Sequence, residues 1–251
     1  MKMSFGYIPH KTPWKDAILK ILGNPSMIRR IQAPVIMRML NPQKDDLVLD
    51  AGCGSGFFTY EIAKICRCIG IDWNISGNLS HAMHKLPSVS YMKADVQKIP
   101  FKDKAFDKIL LSSVLQMVED DEALLRECYR VLKEDGILVL SVPEEYICIR
   151  KLDELKDELI EMFGSRGKGF YEYDEVIELL QREGFEVMET EYAPKKLGSF
   201  IYETWLYFCY HTGLPLFHPF YFPLFYPIAY FDRFGNKRQK GNEVIIKARK
   251  I

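Results

Sequence analysis

The sequence predicts an α/β protein with a Rossmann-like, doubly wound, mostly parallel seven-stranded sheet. Short apolar runs alternate with helical patterns between residues 47 and 143, and this alternation is typical of βαβ units. Two later strand patterns, at 185–193 and 242–250, lie 48 residues apart. A length of 251 residues suits one large domain. We therefore expect a single domain with its core at 44–193 and 242–251.

Segments outside the core have their own patterns. Apolar residues recur at helical spacing over 14–22 and about 26–40, which predicts an N-terminal helical cap at 1–43. Pro34 interrupts the second pattern, so we expect a kink there, and Asn41-Pro42 closes that helix. Within the core, the strand runs are 47–50, 68–72, 89–95, 106–113 and 136–143, with the clearest helices at 121–132 and about 174–183.

Composition excludes several classes of function. Lys and Arg together number 34, as do Asp and Glu, so no global field favours nucleic acid as a partner. The six cysteines lie mostly in apolar runs without zinc spacing, which favours a reducing compartment and no metal site. The amino terminus has no apolar stretch typical of a signal peptide. A cytoplasmic location is expected.

The stretch LVLDAGCGSGFFT at 47–59 is the strongest chemical signal. A buried strand delivers Asp50, and Gly52, Gly54 and Gly56 then allow a sharp turn and close approach of a ligand before a helix begins near Phe57. The spacing differs from GxGxxG, and the phosphate-loop pattern GxxxxGK[ST] is absent. Taken alone, the loop could be only a tight strand-to-helix connection.

Aspartates also end the next two strands of the pattern. Asp72 follows Asp50 by 22 residues and Asp95 follows Asp72 by 23. Because the carboxyl ends of parallel strands share one edge, the three carboxylates should converge on one crevice. This arrangement favours a ligand site over a simple turn.

Four ordered motifs make the sequence similar to class I S-adenosylmethionine-dependent methyltransferases, particularly the branch related to ubiquinone and menaquinone biosynthesis. They are LDAGCGSG, GIDWN at 70–74, ADVQKIPFKDKAFDKILLSSVLQMV at 94–118 and ECYRVLKEDGILVLSVP at 127–143. The resemblance implies S-adenosylmethionine as the methyl donor and S-adenosylhomocysteine as the product, with no metal.

The resemblance also implies a role for each element of the donor site. Asp50 and the glycine loop with Cys53 would contact the methionine part, while Asp72 would bind the ribose hydroxyls with Trp73 beside the adenine. The remaining residues implied are Asp95, which would accept from the adenine amino group, Val96, whose backbone lies nearby, and Ser112 and Ser113, near the sulfonium.

The identity of any general base stays open. Many relatives have histidine where Gln116 stands, and glutamine cannot act as a base near neutral pH. Segments that cover the acceptor would offer four candidate catalytic residues: Tyr7, His10, His211 and His218. His81 and His84 are expected to be a surface pair. The fourth strand also lacks the [DNS]PP[YF] motif of amino-directed nucleic-acid methyltransferases, which again argues against nucleic acid.

An insert at 194–241 separates the last two strands. It has prolines at 215, 219, 223 and 227, and no charge from Thr204 to Phe231. One membrane crossing would leave the two flanking strands on opposite sides, and regular prolines break a continuous helix. We therefore expect no transmembrane span. The insert could pack on the domain or in a homodimer, roof an apolar acceptor pocket, or touch a membrane interface through 213–231.

The sequence thus favours methyl transfer to a hydrophobic small molecule that is quinone-like, phenolic or prenylated. Two alternatives stay open. One is a non-catalytic donor-binding partner or scaffold protein, and the other is a methyltransferase for a protein or polar metabolite.

Overall fold

The computed structural model describes residues 27–74, 88–144, 149, 154–155, 157–158, 167–212, 227, 231–234 and 239–251. The predictions for Tyr7, His10, His81, His84 and His218, and for most of 213–231, lie outside these residues.

The described elements alternate along the chain. Helices are α1 (Met27–Leu40), α2 (Phe57–Ala63), α3 (Asp121–Val131), α4 (Tyr173–Arg182) and α5 (Lys196–Thr212). Strands are β1 (Leu47–Ala51), β2 (Arg67–Asp72), β3 (Val89–Lys93), β4 (Phe106–Ser112), β5 (Leu132–Pro143), β6 (Phe185–Tyr192) and β7 (Glu243–Lys250). Short 3-10 turns occupy Leu115–Met117 and Asp232–Phe234.

The seven strands form one sheet in the order β3-β2-β1-β4-β5-β7-β6. All pairs from β3 to β5 are parallel, whereas β7 runs antiparallel to both β5 and β6. The predicted doubly wound, mostly parallel sheet is confirmed. The carboxyl ends of β1, β2 and β4 and the start of β7 therefore lie at the same edge.

Alternation along the strands feeds two cores. On one face, Leu49, Ile109 and Leu138 pack with α3 and α4. On the other face, the neighbouring residues Val48, Leu110 and Val139 pack with α1 and α2. Residues adjacent in a strand point to opposite faces, so both faces of this sheet are covered by helices, as expected for a parallel sheet.

Helix α1 continues through Pro34, from Met27 to Leu40, and the kink expected there stays a prediction. Its apolar face, with Val35, Ile36 and Met39, is buried on the sheet, and this packing offsets the hydrogen bond that proline cannot donate. The helix ends before Asn41, which has a φ of 43°, where the Asn-Pro pair predicted an end.

Two strand ends differ from the sequence pattern. β3 ends at Lys93, so Asp95 lies two residues beyond it in the following loop. β5 begins at Leu132, directly after α3, rather than at Gly136. Its pairing with β4 shifts register between Phe106 and Lys108, and this irregularity accommodates the added residues.

Candidate active site

The glycine loop connects β1 to α2. Gly52, Gly54 and Gly56 have φ of 77°, 52° and 76°, a region that glycine enters without steric cost. A Cβ at Gly52 would lie 2.4 Å from a methyl of Val114, so the loop packs tightly there. At Gly54, no atom of the described part of the chain lies within 4 Å of the equivalent position. The backbone at Gly54 is therefore open to a ligand.

The end of β2 holds this loop in place. The Asp72 Oδ2 accepts the Gly54 N–H at 2.9 Å, and its Oδ1 accepts the Asn74 N–H at 2.8 Å. The N–H groups of Gly52 and Cys53 both donate to the Ile71 carbonyl. Each carboxylate oxygen can accept a further bond, so Asp72 retains capacity for ligand hydroxyls.

Asp50 is buried at the end of β1, with 2% exposure. Its Oδ2 accepts the Thr59 hydroxyl at 2.5 Å. Burial raises the pKa of Asp50 from 3.8 to about 6, while the Thr59 bond and the Arg29 charge oppose that rise. At pH 7 Asp50 is therefore mostly ionised, although it is shielded from water beside the loop.

Cys53 packs beside Asp50 as a small apolar side chain. Its sulfur would lie 3.0 Å from a Cβ built at Gly70. Burial raises the pKa of the Cys53 thiol, and the neighbouring Asp50 carboxylate adds to the rise. The thiol therefore stays protonated and is not a nucleophile.

The other predicted donor-site residues lie at the same edge with different exposure. Trp73 is 60% exposed just after β2, and Val96 is buried in the core. Asp95 Oδ1 accepts the Gln97 N–H at 2.9 Å. The Ala94 N–H donates to the Asp72 carbonyl at 3.0 Å, which joins the loop of Asp95 to the end of β2.

Ser112 and Ser113 belong to a polar cluster at the end of β4. Arg29 Nη1 of α1 donates to the two hydroxyls at 2.5 and 2.9 Å. Ser113 Oγ donates to Glu243 Oε1 at 2.5 Å, and Ser141 Oγ donates to the same oxygen at 3.0 Å. Ser113 has a φ of 52°, a strained value for serine that is common at functional sites.

The insert begins and ends beside this cluster. The Ala193 N–H donates to the Glu243 carbonyl at 3.1 Å, and the Asn242 N–H donates to Ser199 Oγ at 3.0 Å. A Cβ at Gly241 would lie 1.9 Å from the Pro194 carbonyl oxygen, so the two ends of the insert touch. Helix α5 therefore starts at the edge that carries the glycine loop.

Helix α5 presents apolar side chains to solvent. Leu197, Phe200 and Phe208 are 47%, 52% and 46% exposed. The buried side of the helix includes Leu206, which packs against Ile149 and Leu155. In the part of the chain that is described, no helix is long and apolar enough to cross a membrane.

His211 is exposed in the last turn of α5, with its ring centroid 4.3 Å from that of Tyr207. The other predicted catalytic residues, Tyr7, His10 and His218, lie outside the described residues. Gln116 is buried in the turn after β4. Among the described residues, no three His, Cys, Asp or Glu side chains are grouped to hold a metal ion.

Comparison with known proteins identifies a family that matches the part of the chain containing this site. Residues 49–140, which contain the glycine loop, Asp72, Asp95 and both serines, match the Methyltransferase domain family. A curated relative from Mycolicibacterium smegmatis named as an S-adenosylmethionine-dependent methyltransferase is 28% identical over 144 residues, which are 57% of this chain and 53% of that protein. The sterol 24-C-methyltransferase of Eremothecium gossypii is 35% identical over 121 residues, 45% of this chain and 31% of that one.

The chain thus covers about half or less of the length of these relatives. Other similar proteins are named malonyl-[acyl-carrier protein] O-methyltransferases, so the relatives differ in acceptor. A solved S-adenosylmethionine-dependent methyltransferase from Mesorhizobium loti has the same fold, with a TM-score of 0.59, 20% identity and coverage of 88% of this chain and 98% of that one.

These matches confirm the family resemblance, while the ubiquinone and menaquinone branch stays a prediction. Residues 49–140 thus match the methyltransferase domain family, and the chain is similar to S-adenosylmethionine-dependent methyltransferases.

Proposed function

We propose that the protein transfers a methyl group from S-adenosylmethionine to a hydrophobic small molecule. The observation that carries the proposal is the meeting of two features at one sheet edge. One is the glycine loop with open backbone at Gly54, and the other is the anchored base of an aromatic insert. The first suits a nucleoside-containing donor and the second an apolar acceptor.

Donor binding would use the residues around the loop. Asp72 would accept the ribose hydroxyls while it keeps the Gly54 N–H, and Trp73 would cover the adenine. Asp95 and the Val96 backbone would contact the adenine edge, and Asp50 would lie near the amino-acid part. Trp73 is exposed at this edge, and an indole ring can stack on a flat aromatic ligand.

The bound donor supplies a methyl group that its sulfonium already activates. The chain's task is then to align the acceptor atom and exclude water. A strong base is needed only when the acceptor is a weak acid such as a phenol, whose pKa is about 10. His211 is the histidine among the described residues, and Tyr7, His10 and His218 remain candidates.

The acceptor side would be formed by α5 and the rest of the insert. Fifteen aromatic residues lie between 200 and 234, more than a connecting loop requires. An apolar wall suits a quinone-like, phenolic or prenylated molecule, and the name of one relative, a sterol methyltransferase, is consistent with a lipophilic acceptor. The exposed face of α5 would also allow peripheral contact with a membrane.

Methyl transfer from radiolabelled S-adenosylmethionine tests this function. The full chain is incubated with prenylated phenols, quinols and sterols, and in parallel with polar metabolites and with peptides. We expect organic-soluble label with a lipophilic acceptor, and much less of it with the Asp72→Asn variant at a donor concentration near the dissociation constant of the wild type. Label confined to polar or peptide acceptors would contradict the acceptor class, and absence of transfer despite donor binding would favour a non-catalytic partner.

A further inference from the structure

Arg29 lies in α1, before the residues that the methyltransferase family matches. Its three hydrogen bonds go to neutral groups: Ser112 Oγ, Ser113 Oγ and Gln32 Oε1, the last at 3.3 Å. All three use Nη1. No carboxylate oxygen of the described residues lies within 4 Å of its guanidinium, although those of Arg38 and Arg130 are ion-paired.

Gln32 provides the second observation. It has 0% exposure, and its Nε2 has no hydrogen-bond partner among the described residues. The amide orientation is fixed by Arg29, because a flipped amide would place two donors face to face. A buried amide N–H without an acceptor is costly. The guanidinium and this amide are one turn apart on α1, and each supplies donors with no anion to receive them.

The surroundings define the kind of ligand. Arg29 presents Nη2 and Nε, which make no bond to the described residues, in a fork that matches the two oxygens of a carboxylate. The charge of Arg29 acts on Asp50 from a distance, but neither Asp50 nor Glu243 lies within ion-pair distance of the guanidinium, and both accept hydroxyl groups instead. The missing partner is therefore an oxygen anion from outside the described residues.

We propose that Arg29 and Gln32 form a carboxylate-binding clamp at the end of β4. This inference deepens the proposed function and rests on it for the identity of the ligands. Two molecules at this edge can supply the carboxylate: the donor, through its amino-acid end, or a lipophilic acid as acceptor. An acid acceptor would be ionised at neutral pH and would need no general base.

Calorimetric titration of the full chain tests the clamp. The variants are Arg29→Met and Gln32→Leu, and Arg38→Met is the matched control, since it removes the same charge from the same helix, where Arg38 pairs with the partly exposed Glu189 and the buried Glu191. S-adenosylmethionine is compared with methylthioadenosine, which lacks the amino-acid part, and decanoate with decanol. The titrations are done at pH 8, so that Asp50 stays ionised in every variant.

We expect Arg29→Met to lower the affinity for one of the two carboxylate ligands roughly 10- to 100-fold, as for loss of a charged hydrogen-bonded pair. Selective loss of S-adenosylmethionine affinity, with methylthioadenosine unchanged, supports the clamp and identifies the donor as its ligand. Selective loss of decanoate affinity, with decanol unchanged, supports the clamp and identifies the acceptor. Arg38→Met should change neither.

Two results overturn the clamp. One is that Arg29→Met and Gln32→Leu both bind S-adenosylmethionine and decanoate with affinities within twofold of those of the wild type. The other is equal weakening of the ligands with and without a carboxylate, which would indicate a structural role. If the wild type binds neither S-adenosylmethionine nor methylthioadenosine, the proposed function fails. The comparison of decanoate with decanol then tests the clamp by itself.

Discussion

At the scale of single residues, the donor side of the site depends on backbone shape and on two carboxylates with different environments. Gly54 faces open space, whereas Gly52 faces Val114. Asp72 holds the loop through a backbone N–H, and Asp50 is buried with one hydroxyl partner. Substitutions at these positions should therefore have separable effects on folding and on ligand binding.

Alanine at the two glycines separates strain from packing. Gly54→Ala should lower the free energy of unfolding by about 1–2 kcal/mol, the cost of a left-handed φ. Gly52→Ala should lose about 2–5 kcal/mol, because Val114 must also move. Urea unfolding measures both. Gly54→Ala should in addition weaken S-adenosylmethionine binding, since its methyl enters the open space. Equal stability losses at the two positions would contradict this account of the loop.

Asp50 should make stability depend on pH. Its pKa is raised from 3.8 to about 6 in the folded protein, so the folded state favours the protonated acid. That contribution is complete below pH 4 and is lost as pH rises through 6. Asp50→Asn, which mimics the neutral acid, should stabilise the ligand-free protein by up to about 3 kcal/mol at pH 8.

The gain from Asp50→Asn should shrink as pH falls from 6 to 4, and urea unfolding at several pH values measures it. Asp45→Asn, at an exposed aspartate, is the control and should change little. A gain of equal size at pH 4 and pH 8 would show that the charge of Asp50 is not the cause.

At the scale of elements, the sequence was informative wherever a signal is local. The glycine loop, Asp50 and Asp72 lie within 23 residues, and the strand pattern correctly placed Ser112 and Ser113 at the end of β4. Arg29 and Glu243 were missed, because their partner Ser113 is 84 and 130 residues away. A helical pattern predicts that α1 forms, but not which side chain reaches the end of β4.

The anchor of α5 gives a prediction at this scale. Ser199 is fully buried and accepts the Asn242 N–H, so Ser199→Ala leaves a part-buried donor without this partner and should cost about 1–3 kcal/mol. Thr204→Ala is the matched control. Its hydroxyl is exposed and bonds only the Phe200 carbonyl of its own helix, so the free energy of unfolding should change by less than about 0.5 kcal/mol. Equal effects would show that Ser199 does not join the helix to β7.

At the scale of the whole molecule, alternating apolar runs were enough to predict the sheet and its two helical layers. The antiparallel placement of β7 between β5 and β6 was not predictable from them, because both strand patterns fit either direction. That placement brings Glu243 and the insert to the site edge. The insert thus joins the site through topology rather than through any motif.

The exposed face of α5 predicts how the whole molecule behaves with lipid. Replacing Leu197, Phe200 and Phe208 by serine should reduce flotation with liposomes and weaken the binding of lipophilic acceptors, because burial of apolar surface contributes about 25 cal/mol per Å². Donor affinity should stay within about twofold, a change of less than half a kcal/mol. Flotation equal to that of wild type would exclude this face as a lipid contact, and an equal fall in donor affinity would show that the face supports the fold.

The central claim is that the carboxyl edge of β1 and β2 binds S-adenosylmethionine. Calorimetric titration of the wild type, Asp72→Asn and Asp107→Asn tests it most directly, because Asp107 bonds the Leu47 N–H at the opposite edge of the sheet. We predict one site of micromolar affinity, weakened at least about tenfold in Asp72→Asn, as expected for loss of charged hydrogen bonds, and unchanged in Asp107→Asn. No binding by the wild type, or equal affinity in Asp72→Asn and wild type, would contradict the account.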